Sequence, residues 1–389
     1  MESCDNTLTK DWPLLHDHHT HPLLYAAFRQ GVDLSDVEDL EQAADLIGDH
    51  AGGGEQLVIA HSWKSNRFKF EQELFDSLPP CAVFNLSLHG LLVNRAGEFA
   101  LKEKIGLEVE RVKDQLWLEQ NLRQVLNWFA LLGGSPEALI AFYEYLVTVG
   151  IGSAEEMLLI DGCEIDWYRE TGLLDRTRFW VAPETYAMLG QDHQEQVAGF
   201  KLFADGAFGA RTAAVSKAYI GEPENYGMLM YEEQKLHALV NQCSKHRIGI
   251  AIHAIGNVAI EQVLSTIEAC PGKSGFREVR LEHVQLISKE QANRAKELGI
   301  ILSMQPNFND DSSSYADRLP EEFLAANNPF RMLIDECGFQ PGVDLIFGSD
   351  GMPHGIRFAA QQAFQPPRAS QQLSPEELRY GYTRKAIGD

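Results

Sequence analysis

Short apolar and β-branched runs alternate along the chain with stretches in which apolar positions recur every three or four residues. The runs are LLHDHH, GIGSAEEMLLI, RFWVAPE, GFKLFADG, IGIAIHAIG, VRLEHVQL, GIILSMQP and VDLIFGSDG. Such runs predict buried strands. Segments such as YEEQKLHALVNQCSKH and SKEQANRAKELG predict helices between them, the second opening on Ser with Glu close behind in a capping pattern. Strand, helix, strand repeated about eight times is the pattern of an α/β fold, a parallel (β/α)8 barrel of TIM type, with a doubly wound open sheet as the competing arrangement.

Between the first and second proposed strands lies a segment, 22–148, too long and too patterned for a plain loop. It has apolar runs of its own (QLVIAHSW, CAVFNLSLHGLLV) and long helical patterns (KDQLWLEQNLRQVLNWFALLG, PEALIAFYEYLVTVG). The expectation is a single barrel over 1–389 with 22–148 inserted in it, either as a small independent domain or as a lid or wall at the barrel mouth. AGGGEQ at 51–56 is the one flexible-looking stretch.

Composition narrows the function classes. The 389 residues are 44% hydrophobic and 23% charged, enough for a large core, and the net charge of −23 repels phosphate backbones and anionic lipid. The expected partner is therefore a small-molecule substrate rather than nucleic acid or membrane, and a homodimer is the assembly left open. The six cysteines are scattered without a C-x-x-C pair, so a reducing cytoplasm is expected and a thiolate metal site is not. No run approaches 18 apolar residues, and MESCDNTLTKDWPLL lacks the basic-then-apolar pattern of a signal peptide.

Four histidines crowd HDHHTHP, residues 16–22. Alternation along a strand puts Asp17, His19 and His21 on one face and His16 and His18 on the other. An H-x-H pair at a strand end can hold one metal ion, and the competing reading is an adventitious cluster. His253, His283, Asp350 and Lys201 each fall near the C-terminal end of a further proposed strand, the end at which a barrel places its chemistry. Lys201 has an apolar flank, against its reading as a snorkelling surface lysine. His16 and His18 are expected on the outer face of the strand, packed toward helices.

D-H-H-T-H, KLFADGAFGARTAA, HAIGN, LEHVQ, SMQPNF and FGSDGMP occur in an order that resembles the amidohydrolase superfamily, more closely its amidohydrolase-3 or YtcJ-like branch, which includes N-substituted formamide deformylases. The resemblance runs from Leu15 onward over nearly the whole chain. It implies that His19 and His21 bind one divalent metal, that His253 and His283 bind a second, that Lys201 bridges them as a carbamate, and that Asp350 completes the site as catalytic proton shuttle. Zinc is the expected metal, as one or two ions, because imidazole and carboxylate ligands suit it. The implied reaction is attack of a metal-bound hydroxide on a non-peptide carbon–nitrogen bond of amide or formamide type. The alternatives are a one-metal deaminase of heterocyclic amines and a non-catalytic binding protein on the same fold.

Further residues are open to two readings. Arg211 could hold an anionic substrate group or pair with a neighbouring carboxylate. His89, which resembles a family histidine of the inserted segment, could face the pocket together with Trp63 and Tyr226, or all three could pack under loops. Most relatives flank the barrel with a β-sandwich built from both chain ends. Here D-x-H-x-H begins at Asp17, so that sandwich is expected to be reduced or absent, in a bare-barrel subgroup or a shortened chain. Asn257 stands where relatives usually have Asp, which leaves the hydrogen bonding around His253 in question.

Overall fold

All eight predicted runs form strands in the computed structural model, which describes residues 9–383 apart from 10, 55, 66, 87, 107 and 108. In chain order the strands are β1 (Leu15–Thr20), β2 (Val32–Asp33), β3 (Val58–Trp63), β4 (Cys81–Asn85), β5 (Leu91–Val93), β6 (Ile151–Leu159), β7 (Thr177–Val181), β8 (Val197–Phe203), β9 (Gly249–Ala254), β10 (Val279–His283), β11 (Ile301–Met304) and β12 (Leu345–Phe347). They make two sheets. One runs β1-β6-β7-β8-β9-β10-β11-β12, and the other β2-β3-β4-β5.

The larger sheet is parallel throughout, with helices between successive strands. A parallel sheet covered on both faces needs apolar residues at consecutive positions. Ile250, Ala251 and Ile252 on β9 and Leu345 and Phe347 on β12 are accordingly buried. The helix Lys289–Glu297 between β10 and β11 is capped at Ser288, and its capping box closes through Gln291 rather than Glu290.

The barrel is nearly closed. At the seam between its two end strands the Asp350 amide donates to the His19 carbonyl at 2.7 Å, and the Ser349 amide donates to the Asp17 carboxylate at 2.9 Å. A Cβ on Gly348 would lie 2.3 Å from the His19 nitrogen, so only glycine allows β12 to end this close to β1. Inside, Met157, Trp180 and Ala251 form a small apolar cluster. Gly199 makes room for the indole, since a Cβ there would lie 2.4 Å from Trp180.

The chain divides into two compact units, one of Met1–His21 with Tyr143–Asp389 and the other of Pro22–Phe142. The second unit contains the four-stranded sheet, in which β2, β3 and β4 are parallel and β5 is antiparallel to β4. Its core gathers Val32, Leu34, Ile47, Val58, Phe75 and Val83 around that sheet. The helix Leu40–Ala51 packs there, started by the Asp39 side chain on the Gln42 amide and stopped by Gly52 in the left-handed region. Residue 55 of the AGGGEQ stretch lies outside the described residues.

Candidate metal centre

Six side chains of the barrel unit come from five strand ends. His19 is on β1 with His21 one residue past it, Lys201 is on β8, His253 on β9, His283 ends β10, and Asp350 follows β12. Ligand atoms of His19, His21 and Asp350 lie within 4.8 Å of one another. The His21 Nε2 is 3.3 Å and the His19 Nε2 3.8 Å from Asp350 Oδ1. Lys201 Nζ stands 3.4 Å from the same His19 Nε2. The His283 ring centroid is 4.6 Å from those of both His19 and His253. The six residues predicted from the strand ends thus meet in one place.

The hydrogen bonds behind the rings decide which nitrogen faces inward. His19 Nδ1 lies 2.5 Å from Glu282 Oε2, and His283 Nδ1 lies 2.7 Å from Gln305 Oε1, so each N–H is spent on an oxygen and the lone pair is left on Nε2. His253 uses the opposite nitrogen: its Nε2 points at the Gly206 carbonyl at 3.0 Å, with Asp205 Oδ1 at 3.5 Å, which assigns the lone pair to Nδ1. His21 Nδ1 is buried with no hydrogen-bond partner among the described residues. Three oriented imidazoles, a fourth with an orphaned nitrogen and a carboxylate form a donor set that suits a borderline divalent cation such as zinc.

Charge favours the same conclusion. Burial, followed by the Lys201 charge, pushes the His19 imidazole down to about 4. Burial and the neighbouring His19 push His283 down to about 3, so both rings are neutral at neutral pH. Burial lowers the Lys201 amine to about 8. Burial alone would raise Asp350, but the His21 hydrogen bond and the electrostatic attraction of the His19 and His283 rings outweigh it and hold the carboxyl well below its usual range. His283 and Asp350 both have positive φ, 71° and 52°, in a region that costs a residue with a side chain about 1–3 kcal/mol. Asp350 is also the most accessible of the set, its side chain 19% exposed against 1% for His19 and 11% for His21.

The placement of His16 and His18 is a correction. They are buried inside the barrel, not on the outer face against helices. His16 Nε2 and His18 Nδ1 lie 3.2 and 3.0 Å from Glu155 Oε1. Alternation sets which residues of a strand share a face but not which face is inside, and the register shift between Asp17 and Thr20 breaks the alternation before His19. The three groups also lie within 4.8 Å of one another. Glu155 is saturated, however, by Arg178 at 3.1 Å, Arg280 at 2.6 Å and the Trp180 indole at 2.5 Å, and two adjacent guanidiniums disfavour a cation.

Arg211 donates to Glu222 at 2.6 Å and to the Ile220 carbonyl at 3.2 Å. Tyr226 is half exposed, and its carbonyl accepts from the Val215 amide. His89 and Trp63 belong to the second unit, where the His89 ring meets both oxygens of Glu119 and the Trp63 indole donates to the Phe68 carbonyl. Asn257 bonds the Ser216 amide and hydroxyl, so the carbonyl of Gly206 and the carboxylate of Asp205 are the oxygens that face His253. Asp205, Glu155, Arg280 and Glu282 were missed in the sequence, although a charge within an apolar parallel strand must be paired and was a readable signal in SAEEMLL and VRLEH.

Among known proteins, residues 147–363 match the amidohydrolase family. A stretch of 151 residues, 39% of this chain, is 34% identical to the putative amidohydrolase YtcJ of Bacillus subtilis, over 27% of that protein. A stretch of 141 residues, 36% of this chain, is 31% identical to the N-substituted formamide deformylase of Arthrobacter pascens, over 24% of that protein. The matched stretches span under a third of these curated relatives. A crystal structure of an uncharacterized metal-dependent hydrolase from Pyrococcus furiosus shares the fold with TM-score 0.70, at 20% identity, over 95% of this chain and 80% of that one.

Proposed function

The chain belongs to the amidohydrolase family, and from that premise we propose that it is a metal-dependent hydrolase cleaving a non-peptide carbon–nitrogen bond of N-substituted amide or formamide type. The observation that carries the reading is the meeting of His19, His21, Lys201, His253, His283 and Asp350 at one end of the barrel. The formamide class is suggested by the deformylase relative, since fold and ligand set support many reactions. The proposal includes a small-molecule substrate, a cytoplasmic location and a homodimer.

A divalent cation, zinc first, would supply Lewis acidity, polarising a carbonyl and lowering the pKa of a bound water from 15.7 to about 7. His19 and His21 would hold one ion through Nε2, and His253 Nδ1 with His283 Nε2 a second. Lys201 has a neutral fraction near pH 8 because burial disfavours its ammonium. That amine can add carbon dioxide and release a proton to solvent, giving an anionic carbamate between the two histidine pairs. Asp350 is ionised at neutral pH, so its carboxylate can take the proton of the attacking water and pass it to the departing nitrogen. Carbon–oxygen formation and carbon–nitrogen cleavage then yield an acid and an amine.

The test is an assay of zinc-loaded protein against N-substituted formamides, scoring formate and amine together. Ammonia without a carboxylic acid would replace the proposal with a deaminase, and protein that takes up no divalent metal would replace it with a non-catalytic binding protein.

A further inference from the structure

The barrel interior holds a chain of charged groups where apolar layers are usual. Glu278 accepts from Arg178 at 2.6 Å, and Arg178 and Arg280 both donate to Glu155. Arg280 is fully buried and its donors are spent in three directions. Its Nε reaches Glu282 Oε1 at 2.8 Å, its Nη1 reaches Glu155 at 2.6 Å, and its Nη2 reaches the His18 carbonyl at 2.8 Å and the Ser303 hydroxyl at 3.1 Å. The guanidinium also lies 4.7 Å from the Trp180 ring. A planar fork fixed on β1, β6, β10 and β11 cannot rotate, so the Glu282 carboxylate that it grips cannot rotate either. The other oxygen of Glu282 accepts from His19 Nδ1.

The end of the chain that touches the metal centre is Glu282.

We infer that Arg280 and Glu282 are positioning residues for cation binding: Arg280 fixes Glu282, and Glu282 locks His19 as the Nδ1–H tautomer. The inference rests on the metal-centre reading above. An N–H donated to a carboxylate makes the opposite nitrogen a stronger donor to a cation. A network that only stabilised the barrel would leave that affinity unchanged.

The measurement is zinc affinity of the metal-free full chain, by competition with a chromophoric chelator at fixed pH, alongside thermal unfolding. Glu282→Gln should bind zinc about 10–100-fold more weakly than the parent, whereas Glu278→Gln, at the far end of the network, should stay within about threefold. Equal affinity of Glu282→Gln and parent overturns the inference alone, whereas a parent that binds no zinc overturns the metal-centre reading and the inference with it. Should Glu282→Gln fail to fold, nitrogen NMR of the metal-free parent decides: the Nδ1–H tautomer at His19 is expected, and the Nε2–H tautomer contradicts the inference.

Discussion

Ser349 donates twice to Asp17, its amide to one carboxylate oxygen at 2.9 Å and its hydroxyl to the other at 2.5 Å. Asp17 lies two residues before His19, and Ser349 one residue before Asp350, so one contact ties together two of the proposed ligands across the barrel seam. Asp17→Asn replaces one acceptor oxygen by an NH2 group that cannot accept the Ser349 proton. It should lose about 1–3 kcal/mol of stability through the unmatched buried group and weaken zinc binding. Urea unfolding and chelator competition on the same sample check both effects.

Gly348→Ala should do more harm than its single methyl group suggests. The new Cβ would meet the His19 nitrogen at 2.3 Å and the His19 Cβ at 2.6 Å, so β1 and β12 must part. A cost of about 1–3 kcal/mol is expected, with loss of zinc affinity, because the displaced residue is itself a proposed ligand. Unchanged affinity would mean that His19 is not held by the seam.

Strands such as β9 and β12 were legible because a parallel sheet buried on both faces writes a strand as a nearly continuous apolar run. The proposed ligands were legible because His253, His283 and Asp350 interrupt or close those runs. The interior was not. The parity of HDHHTH pairs His16 with His18 but cannot say which face is inside, and the register shift after Asp17 turns His19 inward as well. Nothing local marks Arg280 as the partner of Glu155, 125 residues away.

Acid should weaken the metal-free fold in a defined window. The imidazoles of His19 and His283 sit at about 4 and about 3 in the folded protein, against 6.5 when unperturbed. From pH 6.5 down to about 4 the unfolded chain therefore takes up protons that the folded one refuses, and stability falls as pH drops, having been fully present above 6.5. Each ring contributes at most about 1.4 kcal/mol per pH unit. Asp17, raised to about 7 chiefly by burial, acts in the other sense, its contribution being present below 3.8 and lost as pH rises through 7. The urea midpoint should be lower at pH 4.5 than at 6.5 in the parent, and His19→Asn/His283→Asn should abolish or reverse that difference, since the Asp17 contribution of opposite sense remains.

Asp350→Asn should retain most of the bound zinc, since the four imidazoles of His19, His21, His253 and His283 remain, yet lose turnover by at least about 100-fold because the proposed proton acceptor is gone. Steady-state assay with metal analysis separates the two. Retained turnover would assign the proton transfer to another group.

Lys201→Ala should lower the metal content of the purified protein, as the carbamate proposed to join the two histidine pairs could no longer form. Metal analysis of parent and variant, each equilibrated with zinc and bicarbonate, reads this directly. A variant holding as many ions as the parent would remove Lys201 from the ligand set.

The most direct test of the central claim is anomalous diffraction from crystals of the protein equilibrated with zinc. A peak enclosed by His19 Nε2, His21 Nε2 and the Asp350 carboxylate is the predicted result. Ordered zinc elsewhere, with these three side chains pointing apart, would contradict the account.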